Sequence, residues 1–82
     1  MKCYELVEKL IDEDRRFILV ASGEYTDEVI FFENGEICHW YFNEDGIVTD
    51  RWCYTATNGE LDLVDEFATN ARWYGLDNVE WC

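Results

Sequence analysis

The sequence has no proline, a single histidine and only six basic side chains among 82 residues. Without proline, nothing forces a kink into a helix or confines a strand to the rim of a sheet. The scarcity of Lys and Arg weighs more. Nineteen acidic side chains outnumber them, for a net charge of −13. Such a chain repels phosphate and anionic lipid, which excludes direct nucleic-acid binding and membrane association. The longest apolar run, Phe17-Ile18-Leu19-Val20-Ala21, is far too short to cross a bilayer. The opening Met1-Lys2-Cys3-Tyr4-Glu5-Leu6 lacks the apolar core of an export signal, so a cytoplasmic chain with reduced thiols is expected.

Motifs are also missing. The four cysteines, at 3, 38, 53 and 82, form neither the paired knuckles of a structural zinc site nor a compact disulfide framework. Cys38 and His39 are adjacent, so on a strand they point to opposite faces and cannot easily share an ion. There is no P-loop, dinucleotide fingerprint, EF-hand loop or G-x-S-x-G elbow. Asn43-Glu44-Asp45-Gly46 lacks the alternating ligands and distal glutamate of a calcium loop. No cofactor, no metal and no enzymatic activity are expected.

What is present is enough apolar material to fold. Apolar residues make up 49% and aromatics 17%, well above a disordered acidic chain. The length allows one domain, residues 1–82. Residues 2–15 predict an amphipathic helix with Cys3, Leu6, Val7, Leu10 and Ile11 on one stripe, closed by Arg15 and Arg16. Phe17 to Ala21 reads as a buried strand and Ser22 to Asp27 as a loop. Glu28–Glu33 and Glu36–Phe42 are strands joined by Asn34-Gly35, the strongest short hairpin signal. A second turn at Asn43–Gly46 leads into a strand over 47–55.

These registers put Ile30, Phe32, Ile37, His39, Tyr41, Val48, Asp50, Trp52 and Tyr54 on one face. Val29, Phe31, Cys38, Trp40, Phe42, Ile47, Thr49, Arg51 and Cys53 share the other. Both helices on one face would leave the second partly exposed and aromatic, an interaction surface. Thr57-Asn58-Gly59-Glu60 matches a capping box, which favours a helix over about 59–74 ending at Gly75; a hairpin at Asn58-Gly59 is the competing reading. Val79-Glu80-Trp81 adds a short edge strand. The expected fold is α+β: an N-terminal helix, an antiparallel β-meander of three to four strands, and a C-terminal helix packed on one face of the sheet.

The charge is unevenly spread. The first sixteen residues carry Lys2, Lys9, Arg15 and Arg16 and are nearly balanced. From residue 17 onward only Arg51 and Arg72 stand against fourteen acids. The acids gather at strand ends, turns and the second helix. Asp27, Glu28, Glu33, Glu36, Glu44, Asp45, Asp62, Asp65 and Glu66 are therefore the candidate partner-binding residues. Same-face neighbours on a strand lie about 6.6 Å apart, a spacing that can follow a cleft built for a phosphate backbone.

In size, charge and α+β pattern the chain resembles the small acidic inhibitors that phages and mobile elements direct against host enzymes, such as anti-CRISPR proteins, anti-restriction proteins and uracil-DNA glycosylase inhibitors. The resemblance rests on composition and carries no functional residue across. It implies a DNA or RNA mimic whose partner is a basic protein, a nucleic-acid-binding enzyme. An immunity or antitoxin-type protein that plugs a basic toxin nuclease, and a plain acidic adaptor, are the other readings; a homodimer stays open. The second turn allows a two-residue or a four-residue loop; in the four-residue register His39 faces Asp50, which would suggest a dyad, but no nucleophile is marked beside it.

Overall fold

A computed structural model describes the whole chain, residues 1–82. It runs α1 (Cys3–Asp12), β1 (Phe17–Ser22), β2 (Tyr25–Glu33), β3 (Glu36–Phe42), β4 (Val48–Thr55), α2 (Asp62–Tyr74) and β5 (Val79–Trp81). The strands form one antiparallel sheet in the order β4-β3-β2-β1-β5. The predicted meander and edge strand are both present, and the sheet has five strands.

The helix of residues 2–15 is shorter than its sequence pattern suggests. It begins where the Lys2 backbone N–H donates to Glu5 Oε1 at 2.8 Å, and it stops at Asp12. Asp14 adopts a left-handed φ of 55°, which ends the helix. Arg15 thus lies beyond the helix end. Its guanidinium turns to Glu13, Glu33 and the Phe32 carbonyl, which accepts at 2.6 Å, rather than to the helix's own carbonyls. Ile11, expected on the apolar stripe, is 61% exposed.

The Ser22–Asp27 loop resolves into a tight turn at Gly23-Glu24, with Tyr25 to Asp27 already in β2. A bulge between Val20 and Ala21 leaves Asp27 without a partner on β1. At the next turn Asn34 and Gly35 have φ of 50° and 83°, the paired positive angles of a type I′ hairpin. The third turn is held by Asn43 Oδ1, which accepts from the N–H groups of Asp45 and Ile47 at 3.0 Å. A second bulge follows, since Tyr41 opposes Asp50 while Phe42 opposes Val48. That skipped residue corrects two expectations. Val48 moves to the face of Phe42, and His39 faces Trp52 instead of Asp50.

The helices take opposite faces, so the expected arrangement, with both helices on one face and the other left partly exposed and aromatic, is not what forms. The α1 stripe packs Leu6 and Leu10 on Phe17, Val29, Phe31, Cys38 and Phe42. Helix α2 packs Leu63 on Ile18, Val20, Ile30, Ile37 and Val79, with Phe67 and Trp81 at the margin. Continuous apolar runs in β1 and β2 require this, because strands buried on both faces cannot alternate with polar residues. Edge strand β4 lies outside the helical cover and is exposed along most of its length.

The approach to α2 is helical, not a hairpin. Its cap differs from the expected box. Asp62, 8% exposed, turns its carboxylate back to accept from the Thr57 and Asn58 N–H groups at 2.9 and 3.4 Å. Gly75, with φ 85°, ends α2, as its position suggested. No helix is long and apolar enough to cross a membrane.

Candidate functional site

The nine acids singled out in the sequence separate into three groups. Glu28, Asp62 and Glu66 turn inward. Glu28 is 5% exposed, Asp62 caps α2, and Glu66 bonds within the protein. Each of these carboxylates is taken up by hydrogen bonds within the protein, which leaves it little free charge to offer a partner. Glu33 faces outward but is neutralised: Arg15 approaches it at 3.4 Å and Lys9 at 3.9 Å. The remaining five, Asp27, Glu36, Glu44, Asp45 and Asp65, form no ion pair.

Three of those five gather at one end of the sheet. The meander brings the Gly23-Glu24 and Asn43–Gly46 turns to the same end, and Asp27, Glu44 and Asp45 come with them, joined by Glu24. A shallow groove lies there, between the first turns of α1 and the two strand tips. Tyr4, Val7, Leu19 and Tyr25 supply apolar surface; Glu44 and Asp45 supply charge. The carboxylates can be felt on Tyr25, whose hydroxyl is raised by Asp27 first and by Glu44 last among its causes. The groove's position is set by the backbone: the Cys3 N–H donates to the Gly46 carbonyl at 2.8 Å and fastens α1 to the turn. An apolar trough with an anionic rim suits a Lys or Arg side chain, whose stem and head have those two needs.

The inward acids build a second cluster, under α2. His39 is 5% exposed. Its Nδ1 lies 2.7 Å from Glu28 Oε2, and its Nε2 lies 3.2 Å from Glu66 Oε2. The first is a well-aligned hydrogen bond; the second is an off-line charge contact that leaves the Nε2 proton without a proper acceptor. Tyr54 donates to the other Glu66 oxygen at 2.6 Å, and Asn70 donates to the Glu66 carbonyl at 2.8 Å. Trp52 stacks on the imidazole at 4.1 Å and donates its indole N–H to the Tyr41 hydroxyl at 3.0 Å.

Burial alone would pull the His39 pKa down. The hydrogen bond to Glu28 and the negative charges of Glu28 and Glu66 outweigh it and push the value up to about 9. Burial likewise acts to raise Glu66, but His39 and then Tyr54 hold it below the usual carboxylate range. At neutral pH the cluster is thus an imidazolium between two carboxylates. None of the three surface hollows is lined by His39, Glu28 or Glu66. The cluster therefore acts on α2 and β4, which it ties to the sheet. Sequence reading missed it, having paired His39 with Asp50.

The remaining candidates resolve simply. Arg51 lies over Trp40 and Arg16 over Trp81, at 5.1 and 4.6 Å from the ring centres. No group of three His, Cys, Asp or Glu side chains is arranged to hold a metal ion. Cys38 and Cys53 are cross-strand partners, as their shared face suggested. Comparison with protein-family models, with curated proteins and with solved structures finds no match to this chain.

Proposed function

We propose that the chain is a small inhibitor that occupies the basic, nucleic-acid-binding cleft of an enzyme by charge mimicry, and that its contact surface is the acidic end of the sheet. The observation that carries this reading is the groove of Tyr4, Val7, Leu19 and Tyr25 rimmed by the unpaired Glu44 and Asp45. Four of the six protein cations are engaged elsewhere: Lys9 and Arg15 by Glu33 and Glu13, Arg16 and Arg51 by indole rings. Carboxylates left unpaired on tight, bulged hairpins are preorganised for an incoming cation, so little ordering is needed on binding. On this reading the chain is not an enzyme, binds no nucleic acid itself, and works in the cytoplasm where its partner acts.

The test is retention of basic proteins from a cell lysate on the immobilised chain at low salt, followed by elution with duplex DNA or RNA. Nucleic acid should displace the retained partner, and retention should fall at least about tenfold between low and moderate salt. The variant Asp27→Asn/Glu44→Gln/Asp45→Asn should lose most of it. Retention that ignores both nucleic acids would sink the reading.

A further inference from the structure

We propose that Cys38 and Cys53 are a redox site: they form a reversible disulfide, by exchange with a low-molecular-weight disulfide such as glutathione disulfide, that staples edge strand β4 to β3. This does not rest on the proposed function. The two residues are direct cross-strand partners, both are free thiols, and their Sγ atoms lie 3.1 Å apart. Opposed residues of an antiparallel pair have Cα atoms about 4.5 or 5.5 Å apart, and a disulfide spans Cα separations of about 4.4–6.8 Å. Closing the bond needs side-chain rotation and no movement of the strands. The other two cysteines lack this relation: Cys3 opens α1 beside Gly46, and Cys82 follows β5, its backbone paired with Phe17.

Access orders the steps. Cys53 is exposed and Cys38 is buried. The Cys53 thiolate attacks one sulfur of the external disulfide, forming a mixed disulfide and expelling one thiolate, which takes up a proton. The Cys38 sulfur then attacks the Cys53 sulfur, breaks the mixed bond and releases the second thiol; the Cys38 proton leaves with it. Two protein thiols lose two electrons and two protons, and the external disulfide is reduced to two thiols. Burial, and then the adjacent Cys53, push the Cys38 thiol up to about 12, so Cys38 does not make the first attack; in the second step its sulfur already lies against the Cys53 sulfur, and that proximity drives the exchange. Edge strand β4 has a single neighbour, β3, and it carries the Trp52 ring that covers His39. The staple therefore fixes the lid of the buried ion cluster.

The experiment incubates the full chain with glutathione disulfide, quenches with acid, alkylates in denaturant and maps the peptides by mass. Expected are a 38–53 bridge about 2 Da lighter than the dithiol, no bridge involving Cys3 or Cys82, and amide exchange across β4 slowed at least about tenfold. Cys38→Ser should trap a stable glutathione adduct on Cys53. Cys53→Ser, at the exposed position, should lose bridge and adduct together while unfolding like the native chain. A lasting adduct on Cys53 of the native chain, a bridge to Cys3 or Cys82, an adduct on Cys38 in Cys53→Ser, or unchanged β4 exchange would overturn the proposal.

Discussion

Under α1 the buried layer between sheet and helix is carbon and sulfur: Leu6 and Leu10 on Phe17, Val29, Phe31, Cys38 and Phe42, with only the exposed Lys9–Glu33 pair at its margin. Under α2 the same sheet meets its helix partly through charge, with Glu28 and His39 on the strands and Glu66 on the helix. An apolar layer is indifferent to pH and tolerant of small shifts. An ion cluster is directional, and it is stable only while its members hold their charges. One thin domain thus has one face held by apolar packing and one held partly by charge.

Cutting each face should separate the two kinds of holding. Leu10, wholly buried, anchors the apolar side. Leu10→Ala should cost about 3–4 kcal/mol in urea unfolding, equally at pH 7 and pH 10. Glu28→Gln should cost about 3 kcal/mol at pH 7, because it leaves the imidazolium with one carboxylate in a dry site. That cost should shrink at pH 10. A pH-independent penalty for Glu28→Gln would erase the distinction between the faces.

The native chain should show the same contrast without mutation. His39 titrates at 6.5 when unperturbed and at about 9 here. Its raised pKa contributes stability that is complete below pH 6.5 and is lost as pH rises through about 9, on the order of 3 kcal/mol in all. Glu66, held low, contributes in the opposite sense: its share is present above pH 4.5 and is lost as pH falls. Unfolding midpoints across pH 5–10 should therefore decline toward the alkaline end, and His39→Gln should flatten that decline. The smallest effect belongs to the acidic end. Asp45→Asn should stabilise the fold by under about 0.5 kcal/mol at low salt by relieving repulsion, and the gain should vanish in high salt.

Much of this was legible in the residues. Asn34-Gly35 announces its hairpin, the 3.6-residue stripes announce both helices, and Gly75 announces a stop. The Glu28–His39 contact was also within reach. A two-residue turn at 34–35 sets Glu33 against Glu36, hence Ile30 against His39 and Glu28 against Tyr41, one diagonal step away. A glutamate beside a lone histidine on the face of Ile30 and Ile37 was the signal. It was obscured because an acid at a strand end reads as solvated. The bulge at Thr49 was not legible, since no residue type demands it, and with two- and four-residue loops both open at the turn, neither was the residue that covers His39. Nor could periodicity assign the helices to faces, because both faces of β1 and β2 are apolar.

Edge strand β4 has a last consequence. One side of its backbone pairs with β3; the other is met by the N-terminal segment only at Val48, whose N–H donates to the Met1 carbonyl, and beyond it faces no strand, a row of open donors and acceptors that another chain's edge can match. Proteins usually guard such a rim with proline or lysine, and β4 has neither. Here the guard is mutual repulsion between molecules. Such repulsion is strong at neutral pH, where the formal −13 becomes −12 with His39 protonated, and weakens toward pH 4.1, where the sequence's net charge vanishes. The acidity that shapes one end of the sheet would also oppose edge-to-edge pairing of two copies, so colloidal behaviour and the proposed recognition would draw on the same carboxylates.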